Sequence, residues 1–185
     1  MGYARAMELH LYMGHGASGT AASMRPHVDG LRARGIAATA VDLPKRKAED
    51  AVPAWRAAVP DLPTVAVGGQ SYGGRVASLA AAEPDAPYAA LVLFSYPLHP
   101  PGSPDRTDAR ISHWPAIRCP VLLLSGDADP LARMDLLRVA VTKLRAAELV
   151  TYPRLGHTLL PVLDDVLDRT AAFLQRVATT SISTR

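Results

Sequence analysis

Apolar residues in this chain come in short runs, and between the runs lie stretches in which apolar positions recur every three or four residues. The runs Glu8 to Met13, Ile36 to Asp42, Thr64 to Gly69, Ala89 to Ser95, Val121 to Ser125 and Leu149 to Tyr152 read as strands. Helical spacing covers Pro26 to Arg34, closed by Gly35 as a C-cap, then Ala48 to Ala58, Tyr72 to Ala82 ahead of Pro84, and Leu131 to Ala146. In the last of these, Met134, Leu137, Val141 and Leu144 share one face. Pro161 opens a final helix whose apolar stripe is Leu163, Val166, Leu167, Thr170, Leu174 and Val177, with Asp164, Asp165, Asp168 and Arg169 turned away. Continuously apolar strands alternating with helices predict an α/β fold, a mostly parallel sheet of about six strands covered by helices on both faces. The polar tail from Thr179 to Arg185 is expected to fray.

Composition narrows the picture without changing it. At 185 residues and 49% hydrophobic content the chain fits one domain, 1–185, with enough apolar surface for a core that needs no staples. The formal charge of +3 is spread along the sequence. Lys45-Arg46-Lys47 is the sole basic cluster and reads as a solvated loop, since no aromatic residues interleave with it, so no nucleic-acid partner is expected. Cys119, the only cysteine, stands before Pro120 at a strand start and reads as a buried structural thiol. The first residues lack the apolar stretch of a signal peptide, Ala6 stands where myristoylation needs Ser or Thr, and no run is long enough to span a bilayer. The expectation is a cytoplasmic protein with no membrane partner. No spacing of His, Cys and carboxylates suits a metal, and no cofactor is expected.

Chemistry enters with Gly68-Gly69-Gln70-Ser71-Tyr72-Gly73-Gly74, placed between the third strand and a helix. In Gly-x-Ser-x-Gly the serine occupies a sharp, strained turn where side chains on its neighbours would clash, so its hydroxyl stands clear of the sheet edge. Gly126-Asp127-Ala128-Asp129-Pro130 follows the fifth strand and Gly156-His157 the sixth, giving the order Ser, Asp, His. Asp127 is too near its strand to reach round to the histidine, whereas Asp129 is displaced into the loop and stiffened by Pro130. Asp129 is therefore the expected acid, and Asp127 a helix cap or turn organiser. Among the histidines, His10 lies within the first strand, His27 at a helix start and His113 beside Trp114-Pro115; only His157 follows the last strand. His99, leaving the fourth strand in Tyr96-Pro97-Leu98-His99, reads either as a substrate contact or as a surface loop residue.

A competing motif is Gly14-His15-Gly16-Ala17-Ser18-Gly19, which matches the dinucleotide pattern G-x-G-x-x-G, with Asp42 at the end of the next strand. Pro26 argues against it. In a nucleotide turn the third glycine already belongs to the helix, and Pro26 would then fall deep inside that helix and break it. The loop suits acyl transfer better. Two backbone N–H groups must face the developing oxyanion, one from Tyr72 after the nucleophile and one from Ala17 in this early loop. His15 either braces the loop by hydrogen bonding or lies in a surface turn.

Together, His15-Gly16-Ala17-Ser18-Gly19, Gly69-Gln70-Ser71-Tyr72-Gly73-Gly74-Arg75, Tyr96-Pro97-Leu98-His99-Pro100-Pro101-Gly102 and Gly126-Asp127-Ala128-Asp129-Pro130 resemble a small α/β-hydrolase family, the branch akin to testis-expressed-protein and dienelactone-hydrolase-like domains. The resemblance runs over most of the chain. It implies a compact α/β-hydrolase fold, Ser71, Asp129 and His157 as a triad, and Arg75 as a characteristic residue after the elbow. It does not fix a substrate, and some relatives look like non-enzymatic parts of larger complexes. Serine at 71 departs from dienelactone hydrolases proper, which use cysteine, and residues 43–50, with Leu43-Pro44-Lys45-Arg46-Lys47, depart from the aromatic, less basic segment that forms the pocket wall in relatives.

The function expected from these residues is hydrolysis of a small ester through an acyl-enzyme. A non-catalytic interaction domain, or an acyltransferase or thioesterase built on the same residues, stands as the alternative. Too few residues separate the fourth and fifth strands to form a cap, so the pocket should be shallow and open, with Leu98 and His99 at its rim. A homodimer is left open.

Overall fold

The computed structural model describes residues 8–183. Six strands form one parallel sheet: β1 (His10–Gly14), β2 (Ala37–Val41), β3 (Val65–Gln70), β4 (Ala90–Phe94), β5 (Val121–Gly126) and β6 (Ala147–Tyr152). Their spatial order is β2-β1-β3-β4-β5-β6, every neighbouring pair parallel. The chain runs outward from β1 to β2, returns to pair β3 on the other side of β1, and then proceeds in one direction. The reversal opens a crevice beyond the carboxyl ends of β1 and β3, where ligands of open α/β sheets bind.

The helices are α1 (Arg25–Ala33), α2 (Ala48–Ala58), α3 (Tyr72–Ala81), α4 (Thr107–Ile111), α5 (Met134–Val141) and α6 (Leu163–Ser183). Alternation along β4 shows how they divide. Leu91 and Leu93 join Trp55, Val76, Ala77 and Leu137 in the core under α2, α3 and α5. Val92 and Phe94 point the other way, into the core that Val28, Leu31, Val166 and Leu174 form under α1 and α6. Every residue of β4 is buried, as a central parallel strand requires. Each fully buried leucine contributes roughly 1.5–3 kcal/mol of transfer free energy, so truncating Leu93 costs about 2–5 kcal/mol.

Most expected elements appear within two residues of their predicted ends. Gly35 closes α1 as expected: its φ is 76°, and the Ile36 N–H returns 3.0 Å to the Leu31 carbonyl. Three corrections are informative. The helix expected over 131–146 is only Met134–Val141. Its first turn is displaced because the Leu131 and Ala132 N–H groups bond Asp129 instead, at 2.8 and 3.1 Å, and its last turn tightens into i→i−3 bonds at Thr142, Lys143 and Leu144. The tail expected to fray is helical through Ser183, with the Thr179 and Thr180 hydroxyls bonding the carbonyls four residues back. Residues 184 and 185 of that tail lie outside the described residues. Finally, the proline-rich stretch after β4 is not plain loop: it holds α4 and two short 3-10 turns, Pro104–Arg106 and Trp114–Ala116. Among the described residues no helix is long and apolar enough to cross a membrane.

Candidate active site

At the end of β3 the chain turns into α3 through Ser71, whose φ of 50° and ψ of −113° place a residue with a Cβ in a rarely populated region. Neighbouring backbone holds the turn. The Ser71 N–H donates to the Phe94 carbonyl at 2.9 Å, and the Gly73 N–H donates to the His15 carbonyl at 3.0 Å. Gly73 is obligatory there, since a Cβ would sit 2.2 Å from the Gly14 carbonyl carbon. Gly14 thus ends β1 against the elbow, which gives the first glycine of the sequence motif a packing role.

The strain at Ser71 presents its hydroxyl to an imidazole. His157 Nε2 lies 2.8 Å from Ser71 Oγ, and His157 Nδ1 lies 2.8 Å from Asp129 Oδ2. An ionised carboxylate only accepts, so Nδ1 carries the proton and Nε2 is free to accept from the serine. The Asp129 side chain is fully buried, its second oxygen taking the Leu131 N–H at 2.8 Å. His157 is partly exposed and reaches over Ser71 from the loop after β6. Asp127, the rejected carboxylate, accepts the Arg154 N–H at 2.6 Å and so organises the turn after β6, where Arg154 has a φ of 60°. It does not cap α5, whose N-cap is Arg133.

The loop after β1 is braced from within. His15 is buried; its Nδ1–H donates to the Gly16 carbonyl at 2.7 Å, and its Nε2 accepts the Leu43 N–H at 3.0 Å. Of the two readings of this histidine, the brace is the one observed. Helix α1 starts only at Arg25, so Gly19 lies in a turn bonded to Gly16 at 2.9 Å and Pro26 in the first turn of the helix, where proline is tolerated. Asp42 accepts the Ala21 N–H at 2.6 Å and fastens the same loop. The geometry therefore gives the glycine motif no helix N-terminus for a pyrophosphate. Ala17 and Tyr72 border the same cleft as Ser71, and Tyr72 is the first residue of α3, whose N–H has no partner within the helix.

That cleft has a volume of about 820 Å³. Its walls come from Arg46 to Asp50 ahead of and within α2, from α3, and from the segment between β4 and β5 that sequence reading treated as loop. Of the two expected rim residues, Leu98 is fully buried in the core and does not border the cleft. His99 does border it, but its nitrogens are committed to backbone: Nδ1–H donates to the Pro100 carbonyl at 2.9 Å and Nε2 accepts the Arg133 N–H at 3.2 Å. His99 thereby ties the rim to the loop that carries Asp129. Arg46 and Lys47 stand in the wall that the resemblance placed at 43–50, whereas Arg106 and Arg110 were not expected as cleft residues. Arg106 and Arg110 carried no spacing signal, because the short turns that aim them were invisible.

The other titratable groups stay outside this arrangement. His10 bonds Thr39 Oγ1 at 2.8 Å, and His113 bonds Ser78 Oγ at 2.8 Å. Burial holds His27 and His113 at a pKa of about 4, helped at His113 by the Arg75 charge. Burial also pushes the Cys119 thiol up to about 12, which suits a structural thiol. Among the described residues no group of three His, Cys, Asp or Glu side chains is placed to hold a metal.

Comparison with solved structures finds the same architecture at low sequence identity. Esterase 2 of Thermogutta terrifontis, phosphonylated by sarin, is 18% identical with a TM-score of 0.73, over 95% of this chain and 86% of that one. A monoacylglycerol lipase of Paleococcus ferrophilus is 14% identical with a TM-score of 0.77, over 91% and 94%. A predicted CIB-like hydrolase of Thermoplasma acidophilum is 14% identical with a TM-score of 0.76, over 94% and 89%. No curated protein matches the chain in sequence. The model of the alpha/beta hydrolase domain matches residues 9–181, from the start of the sheet to the last turns of α6, so this chain belongs to the alpha/beta hydrolase family.

Proposed function

We propose that this protein is a serine hydrolase of small esters, with Ser71 as nucleophile, His157 as general base and Asp129 as the acid that orients it. The observation that carries the reading is the unbroken hydrogen-bonded line from Ser71 Oγ through His157 to the buried Asp129, each contact 2.8 Å. As Ser71 Oγ attacks an ester carbonyl, His157 Nε2 takes its proton, and Asp129 stabilises the imidazolium without accepting a proton itself. The carbonyl oxygen becomes an oxyanion facing the Ala17 and Tyr72 N–H groups. His157 returns the proton to the departing alkoxide, leaving Ser71 acylated. Water, deprotonated by the same imidazole, then releases the acid and restores the serine.

An open cleft favours water over a second substrate as the acyl acceptor, which supports hydrolysis above acyl transfer. The named esterase and lipase structures share the fold, which is compatible with this chemistry without specifying it. The motif resemblance to dienelactone-hydrolase-like domains enters only as a relationship of scaffold, since serine replaces their cysteine.

Acyl length follows from the lining. Ala17, Ala48, Pro97, Ala109 and Leu131 offer small apolar surfaces interrupted by charge. Each added methylene should therefore gain well under the roughly 0.8 kcal/mol of full burial. On 4-nitrophenyl esters, kcat/KM is expected to peak between acetate and butyrate and to fall by octanoate, with all activity reduced about 10³-fold or more in Ser71→Ala. Activity that climbs steadily to long chains would contradict the short-acyl reading, and activity untouched in Ser71→Ala would remove the hydrolase reading altogether.

A further inference from the structure

The basic cluster read from sequence as a solvated loop borders the cleft. Arg46 and Lys47 meet Arg75, Arg106 and Arg110 around one cavity that also contains Ser71, and only Glu49 and Asp50 oppose them there. Glu49 is engaged by Arg75. Arg110 has no carboxylate within ion-pair distance among the described residues; the hydrogen bond its guanidinium makes goes to the Pro97 carbonyl at 3.2 Å. The Arg75 side chain is mostly buried, and its Nε is enclosed without a hydrogen-bond partner. Burial, then the neighbouring charges of Arg75 and Arg106, hold Arg110 below the ordinary arginine range.

These facts describe a wall with more positive charge than its own carboxylates balance, beside a nucleophile. Crowded guanidiniums with donors to spare gain most from an oxyanion, which accepts two parallel N–H bonds and relieves the repulsion between them. Arg46, Lys47 and Arg106 are exposed and Arg75 and Arg110 more enclosed, yet all five border the cleft beside Ser71. They come from three separate segments, the turn before α2, helix α3 and the α4 region, to a single cleft.

We propose that the cleft is specific for esters that carry a second, anionic group, a carboxylate or a phosphate, which Arg75 and Arg110 hold while the ester carbonyl lies at Ser71. The exposed Arg46 and Arg106 draw the anion in at the rim. This rests on the serine hydrolase reading for its chemistry and deepens it by naming the substrate class.

The test is a matched trio of 4-nitrophenyl esters: the monoadipate, its neutral methyl-capped counterpart, and 5-phosphonopentanoate, all with the same spacer. The anionic esters are expected to exceed the neutral one in kcat/KM by about tenfold or more, the scale of one charge-assisted hydrogen bond. That ratio should collapse in Arg110→Gln and shrink with added salt. Whichever of adipate and phosphonate is preferred identifies the head group. Should Arg110→Gln fail to fold, Arg46→Gln and Arg106→Gln, both at exposed positions, should each lower the same ratio by a smaller factor. Calorimetric titration of adipate and of inorganic phosphate into the unmodified protein gives an independent reading, with binding lost in Arg110→Gln. Ser71-dependent hydrolysis without preference for the anionic esters overturns this inference and leaves the hydrolase reading standing. Arginine-dependent binding of either anion with no ester turned over keeps the subsite and removes the hydrolase reading.

Discussion

Replacing Asp129 by asparagine isolates the role assigned to the buried carboxylate, because it changes charge and hydrogen-bond sense at nearly constant volume. In the wild-type site Oδ1 accepts the Leu131 N–H at 2.8 Å and Oδ2 accepts from His157 Nδ1 at 2.8 Å. In Asp129→Asn one position must become an NH₂ group. If the amide keeps its oxygen toward Leu131, the NH₂ faces His157 and forces Nδ1 to become an acceptor. The imidazole proton then moves to Nε2, which can no longer take a proton from Ser71. If the amide turns over instead, its NH₂ confronts the Leu131 N–H inside a fully buried site, at a cost of about 1–3 kcal/mol. In either orientation no negative charge remains to stabilise the imidazolium. The expected loss in kcat is about 10³ to 10⁴-fold, or roughly 4–5.5 kcal/mol of barrier, on 4-nitrophenyl butyrate followed by absorbance. Asp127→Asn serves as the comparison, since that carboxylate only accepts the Arg154 N–H at 2.6 Å in an exposed turn. It should cost about 1 kcal/mol of stability and leave kcat within a few-fold. An Asp129→Asn enzyme that keeps its kcat within tenfold, or a larger loss in Asp127→Asn, would refute the assignment.

Gly73→Ala should lower folding stability by about 3 kcal/mol, read from the urea midpoint, because its Cβ would stand 2.2 Å from the Gly14 carbonyl carbon; an unchanged midpoint would mean the elbow does not pack on β1 as described. His27 is buried against Phe94 with its ring centroid 5.3 Å away and its pKa lowered by burial to about 4. The native state therefore refuses a proton that the unfolded chain takes up below its ordinary value of 6.5, so stability present above pH 6.5 is lost as the pH falls toward 4, by up to about 3 kcal/mol from this group. His27→Leu should remove that share of the acid loss in denaturation curves recorded between pH 7 and 4.5, while His113 keeps its own contribution; a variant whose stability falls in parallel with the wild type would show that His27 titrates normally in the fold.

Sheet and helices were legible because they obey local rules. Continuous apolar strands, Gly35 and Pro26 each state their role within a few residues of sequence. The relation of Ser71, Asp129 and His157 was legible for a different reason, since each follows the carboxyl end of a parallel strand and all such ends lie on one side of the sheet. What escaped was decided by hydrogen bonds and packing that the apolar period does not register. The truncated start of α5 reflects Asp129 taking N–H groups that the periodicity assigned to a helix. Leu98 has the composition of a rim residue, but its side chain is drawn into the core under α2, α3 and α5. Arg106 and Arg110 sit on segments too short to have a period, and Arg46 and Lys47 show their meaning only when Arg75 and Arg110 arrive beside them.

Reaction with a fluorophosphonate probe tests the central claim most directly, because only an activated serine in a formed oxyanion site reacts rapidly with it. Intact mass followed by peptide mapping should find a single phosphonate adduct, on Ser71, absent from Ser71→Ala and strongly slowed in Asp129→Asn. An adduct elsewhere, labelling that persists in Ser71→Ala, or freshly purified protein that takes up no probe would contradict the account.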